Sequence, residues 1–203
     1  EASAFLKEVL KMIPDCNDPG ELFAFEGSAA KVYFGVFNEL ILQQKNDFYF
    51  TERSRRPPLD NMNALLSFLY TLLTHEVASA LETVGLDPYV GFLHQDRPGR
   101  VSLALDMMEE LRPVLADRVA LSLVNRKQIS GNGFVKKESG GVIMDDETRK
   151  IVIQSWQEKK QETLTHPYLK ESVQYGLLPY VQAMLLARSI RGDIDGYPPF
   201  FWT

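Results

Sequence analysis

Cysteine is almost missing from this chain: Cys16 stands alone among 203 residues. A single thiol excludes an intrachain disulfide framework and any zinc or iron–sulfur site built on several cysteines. With no Cys-His signature around it, Cys16 reads as a plain, half-buried thiol. Histidine is nearly as scarce, with three in all. There is no Ser-His-Asp or Cys-His arrangement and no Gly-rich phosphate loop, so covalent protein catalysis and nucleotide cradling have little support. No apolar run approaches the roughly 20 residues that cross a bilayer. The opening "EASAFLKEVLKMI" is interrupted by lysines and glutamates and lacks the apolar centre of a signal peptide. These absences predict a globular protein without membrane contact, in the cytoplasm by default. An initial methionine is also missing, and the chain enters a helical pattern at once, which predicts a processed or excised piece of a longer polypeptide. The net charge of −5 argues against a uniformly basic coat for nucleic acid, although an average hides local patches.

What is present is mostly helix signal. Phe5, Leu6, Val9, Leu10 and Ile13 have helical spacing over residues 4–13, stopped by Pro14. Asp18 and Pro19 form a cap and first-turn pair before "GELFAFEGSAAKVYFGVFNELIL", which predicts a largely buried helix to about residue 43. Residues 44–59, with three arginines and two consecutive prolines, predict a loop. Asp60 caps the next helix, whose stripe of Leu65, Leu66, Leu69, Leu72, Leu73 and Val77 ends at Gly85. Ser102 is the expected cap of another helix, kinked at Pro113. "GNGFVKKESGGVIMDD" predicts a β-hairpin. Asp145 or Asp146 caps a helix over 147–162, and Thr165 with Pro167 opens a last helix ending near Gly192. Residues 1–203 therefore read as a single all-α domain with one small hairpin.

The chemistry gathers around "GFLHQDRPGR". His94 lies in a turn-rich connection rather than on an apolar helix face, just before Asp106, Glu109 and Glu110 at i, i+3 and i+4 of one predicted helix. Alone, those carboxylates describe a solvated acidic edge. An imidazole entering beside the first two turns turns the reading towards a metal. Glu26, inside the apolar stretch "FAFEGSAAKVYF", is a further candidate: a carboxylate there is costly unless paired with Lys31 or an arginine, or metal-bound. One imidazole with two or three carboxylates suits Mg²⁺ or Mn²⁺ better than structural Zn²⁺. Such a centre polarises a phosphoryl oxygen and activates a bound water or hydroxyl, so the chemistry implied is phosphodiester cleavage or transfer. His75 and His166 are assigned to structure. Tyr70, Trp156 and the tail "YPPFFW" are assigned to packing, with partner docking as the alternative for the tail.

"EGSAAKVYF", "RSRRPPLDNMNALLSFLY", "GLDPYVGFLHQDRPGRVSLALDMMEELRP" and "GFVKKESGGV" resemble, in the same order, the CRISPR-associated adaptation endonuclease/integrase family, whose members insert new spacers. The resemblance covers essentially the whole chain but only that family's C-terminal helical domain; the family's N-terminal β-rich domain has no counterpart here. It implies Glu26, His94 and Glu109 as ligands of Mg²⁺ or Mn²⁺, with Asp106 as a supporting acid. Where this chain has Glu109 some members carry Asp, which leaves open whether Glu110 or Asp106 takes over. It implies a metal-dependent DNA nuclease whose integration step uses a DNA 3′-hydroxyl in place of water. Arg53, Arg55 and Arg56, otherwise solvating a loop or holding carboxylates, would then contact phosphates of double-stranded DNA with single-stranded or branched ends. Arg97 and Arg100 are second choices. The intact protein would form a homodimer and join a small ferredoxin-like CRISPR partner protein. The reading from another class is a non-catalytic helical interaction domain that binds protein through its acidic face and aromatic tail.

Overall fold

Polar caps set most of the helix starts. In a computed structural model of the protein, which describes residues 1–16, 18–94 and 97–201 without the side chains of Asp15 and Pro19, α1 spans Ala2–Met12 and α2 Pro19–Phe37. The Asp18 side chain accepts from the Gly20 amide at the start of α2. The central helix α3, Asn61–Thr83, is capped by Asp60 on the Asn63 amide. It ends at Gly85, whose φ of +82° lets the Leu86 amide reach back to the Leu81 carbonyl, a turn that only glycine adopts without strain. Then come α4, Ser102–Met108, a π-helical turn over Arg112–Ala116, and α5, Asp117–Asn125. The expected hairpin is β1, Phe134–Lys136, paired antiparallel with β2, Val142–Met144. Asp145 caps α6, Asp146–Gln161, and α7 is Leu178–Ile190.

The architecture is mainly helical, as the periodicity predicts, and the differences have local causes. A second antiparallel pair, β3, Thr163–Thr165, and β4, Ser172–Gln174, precedes α7, so Thr165 and Pro167 lie at a hairpin and not at a helix start. Here the alternation of "TLT" and "SVQ" outweighs the capping signal. Pro179 in the first turn of α7 marks the true start. Ser102 is the first residue of α4 rather than its cap; the Pro88 carbonyl accepts from the Leu103 and Ala104 amides instead. Pro113 falls in the π-helical turn, where the removed donor is absorbed. α3 is by composition long and apolar enough to cross a membrane, contrary to the sequence expectation, but half of that stretch is buried in the core.

α2 is the largest departure. Its C-terminal end is anchored, with Phe37 fully buried and Phe34 stacked on Phe50 at 5.4 Å. Its N-terminal half, Glu26 included, is largely exposed and packs mainly against α1. The expected burial of the whole helix, and the desolvation cost assigned to Glu26, are therefore corrected.

The core runs from α3 outward, with Leu65, Leu66, Leu69, Leu73 and Val77 all fully buried against α4, α5 and α7. Among the described residues, one carboxylate is buried with it. Asp117, 2% exposed, accepts from the hydroxyls of Tyr70 at 2.6 Å and Tyr33 at 2.7 Å. Burial pushes its pKa up, opposed by those hydroxyls and by the charges of Arg112 and Arg53. Both guanidinium groups lie over the Tyr70 ring, Arg112 at 4.8 Å and Arg53 at 5.2 Å, a cation–π arrangement. Removing one member strands the others. Asp117→Ala should cost about 3 kcal/mol of unfolding free energy in urea, and Tyr70→Phe about 1 kcal/mol, because only the first leaves two buried hydroxyls unpaired. Equal losses in the two variants would contradict the network.

Candidate metal centre

His94 is placed by a carboxylate. Asp106 Oδ2 accepts from the amides of Phe92 at 2.6 Å and Leu93 at 3.0 Å, and Oδ1 accepts from the His94 amide at 3.0 Å. The same Oδ1 lies 2.6 Å from His94 Nδ1. An ionised carboxylate only accepts, so Nδ1 carries the proton, and in the neutral ring Nε2 keeps its lone pair. Burial raises the Asp106 pKa, but hydrogen bonds from the His94 ring and from three amides outweigh it and hold the group below its ordinary value of 3.8. Gly91 makes the path possible. A Cβ there would come within 2.8–2.9 Å of Ser102 Cβ, Asp106 Oδ2 and His94 O.

Glu109 follows α4 by one residue, and its Oε2 accepts from Arg112 Nη1 at 2.6 Å. Burial pushes Glu109 up, Arg112 opposes this, the charge of Glu26 on α2 raises it further, and His94 and Arg55 lower it. Glu26, His94, Arg55 and Arg112 thus all lie within electrostatic reach of Glu109. Among the described residues, however, no three His, Cys, Asp or Glu side chains are close enough to hold a metal ion. The donors are chemically suited to Mg²⁺ or Mn²⁺: two carboxylates that repel each other, and an imidazole oriented through its second nitrogen by a carboxylate, as metal-binding histidines commonly are.

The remaining predicted residues separate. Glu110 faces away from this group: it accepts from the Phe200 amide at 2.6 Å, from Gln182 Nε2 at 3.1 Å, and from the Tyr197 hydroxyl. It holds the C-terminal tail and does not share a working face with Asp106, because α4 ends at Met108. Arg53 departs from the expected phosphate contact. Its guanidinium is turned inward to Asn63 Oδ1 at 2.7 Å, the Ser54 carbonyl and Ser67 Oγ, and burial lowers its pKa to about 10. Arg55, Arg56 and Arg97 are exposed and Arg100 is half-buried.

His166 is fully buried, accepting the Tyr168 and Leu169 amides on Nδ1, and His75 is exposed on α3. Trp156 is buried and donates to Glu76. In the tail Phe200 is buried and Phe201 exposed, while Trp202 lies outside the described residues. Sequence reasoning missed Arg112, whose only signal was its position three residues after Glu109, and Tyr33 and Asp117, which carry no motif.

The family profile described as "CRISPR associated protein Cas1" matches residues 1–158. The chain is 59% identical over 192 residues to a CRISPR-associated endonuclease Cas1 of Rhodospirillum rubrum, covering 95% of this chain and 56% of that relative. It thus spans about half the length of that protein. Among solved structures it resembles a chain of a partial Cas6-RT-Cas1–Cas2 complex, at 25% identity and a TM-score of 0.82, over 98% of this chain and 58% of that one. It also shares the fold of a casposase bound to integration product, at 22% identity and a TM-score of 0.83, over 96% and 55% of the two chains.

The Asp106 contacts generate a direct check. Asp106→Ala should abolish the slow hydrogen exchange of the Phe92, Leu93 and His94 amides while leaving the amides of α3 protected, since the carboxylate holds a loop and not the core. In wild type the protection should be whole above pH 3.8 and fade only below it, because the folded group titrates below its unfolded value. Protection unchanged in the variant would show that the loop is held otherwise.

Proposed function

The chain belongs to the Cas1 family, and on that premise we propose that it is the metal-dependent DNA endonuclease and integrase domain that inserts new spacers into a CRISPR array in the cytoplasm. The observation that carries this reading is the pairing of an Asp106-oriented imidazole, presenting Nε2, with Glu109 under the charge of Glu26. Glu26, His94 and Glu109 would hold Mg²⁺ or Mn²⁺. Bound there, the cation would supply Lewis-acid polarisation of a phosphoryl oxygen and a more acidic attacking hydroxyl.

The protein's own groups do the placing. Asp106 keeps the proton on His94 Nδ1, and Arg112 fixes one oxygen of Glu109, leaving the other for the site. Arg55 and Arg56, with Arg97 and Arg100 behind them, pair with non-bridging phosphate oxygens; Arg53 braces the loop that carries the first two. The attacking oxygen forms a new P–O bond as the bond to the leaving oxygen breaks. Water as attacker gives cleavage, and a DNA 3′-hydroxyl gives strand joining. A second copy of the protein and a small ferredoxin-like Cas2 partner complete the assembly in this proposal, which the resemblance to the Cas1–Cas2 complex supports.

Chemistry and binding should separate by mutation. Glu26→Ala, His94→Ala or Glu109→Ala should abolish Mn²⁺-dependent cleavage and joining with little loss of DNA affinity, the lost contribution being made in the transition state. The Mn²⁺-induced rise in melting temperature should vanish in His94→Ala. By contrast, Arg55→Ala with Arg56→Ala should weaken binding across sequences and flatten the log–log salt dependence by about one unit per lost phosphate contact. Wild-type activity in His94→Ala would defeat the proposal.

A further inference from the structure

The loop that presents His94 also presents an aromatic ring that the fold does not use. The connection between α3 and α4 is closed at its neck, where the Pro88 carbonyl accepts from the amides of Leu103 and Ala104. Within it Phe92 is 71% exposed, near Val90 at 58% and Tyr89 at 48%. An exposed phenylalanine on a slack loop would mean little. Here the backbone under the ring is fixed, since the Phe92 amide and the next two all donate to Asp106, and Gly91 sits where no side chain fits. The chain takes a tight path and, two residues before His94, points an apolar ring outward.

We propose that Phe92 is a stacking platform for an unpaired nucleobase next to the phosphate engaged at Glu26, His94 and Glu109. The inference rests on the reading of that site as a phosphodiester centre. A ring whose backbone is already fixed loses little freedom when a base stacks on it. Every base offers a π-face, so the contact is tolerant of sequence. The surroundings favour a nucleic acid over a protein partner. Arg97, exposed, and Arg100, half-buried, lie on the same connection. Base on ring and phosphate on arginine is the alternation that a single strand requires.

The test is binding without turnover, by this chain in Ca²⁺, to a duplex ending in a short 3′ single strand that carries 2-aminopurine, compared with the blunt duplex. Wild type should bind the tailed duplex more tightly and change the 2-aminopurine fluorescence. Phe92→Ala should lose about tenfold in affinity for the tailed duplex, lose the fluorescence change, and bind the blunt duplex as before. Phe92→Trp should retain both effects, while Phe92→Leu, apolar but without a π-face, should lose the fluorescence change. Three results would overturn the proposal: no wild-type preference for the tail, an equal loss on both duplexes, or unchanged tail binding in Phe92→Ala. The last together with a fall in melting temperature would assign the ring to protein packing. Cleavage surviving His94→Ala while the Phe92 effects stand would sink the catalytic reading and leave the platform intact.

Discussion

Four hydrogen bonds to one carboxylate organise the connection that carries His94. Asp106 gathers the amides of Phe92, Leu93 and His94 and the His94 ring nitrogen onto two oxygens. A loop with prolines and glycines has no ladder of its own, so its buried donors must find acceptors elsewhere. The Pro88 carbonyl accepts from the first-turn amides of α4, and the second turn of α4 supplies Asp106 as the acceptor for the loop amides. The loop and the helix are thereby one unit, and the direction of the imidazole is a property of that unit rather than of a flexible side chain.

The other half of the site depends on the core. Glu109 is held by Arg112, Arg112 lies over Tyr70, and Tyr70 donates to the buried Asp117. Tyr33 carries the same chain to α2, the helix that bears Glu26. A buried acid with two hydroxyls and two nearby guanidiniums is costly to assemble and costly to disturb. It links the three elements that present Glu26, Glu109 and the arginine loop. The exposed N-terminal half of α2 is the least supported part of the arrangement, and it is the part that holds Glu26. Among the described residues no three His, Cys, Asp or Glu side chains are gathered around one point.

The helices were legible because their ends were written in the sequence: Asp18, Asp60 and Asp145 accept from first-turn amides, and Gly85 terminates α3. Capping failed where the acceptor came from far along the chain, as at Ser102, whose helix is capped by the Pro88 carbonyl. The third and fourth strands were hidden because no glycine marks the turn between them, and Thr165 with Pro167 reads as a helix start. His94, Asp106 and Glu109 were candidates by spacing, and the structure brings His94 and Asp106 into contact. Glu110, one residue further, accepts from the Phe200 amide of the tail. Glu26 was chosen for a burial it does not have. Asp117 and Tyr33 were out of reach, because residues 84 positions apart declare nothing to each other in one sequence.

The account stands on Glu26, His94 and Glu109 sharing one divalent cation, and crystals of the protein grown with Mn²⁺ measure that directly through the anomalous signal of the metal. The expected result is a single strong peak at about 2.1–2.3 Å from a Glu26 oxygen, His94 Nε2 and a Glu109 oxygen, with Asp106 still on Nδ1 and outside the coordination sphere. A peak on other residues, or none at these three when the site is fully loaded in solution, would contradict it.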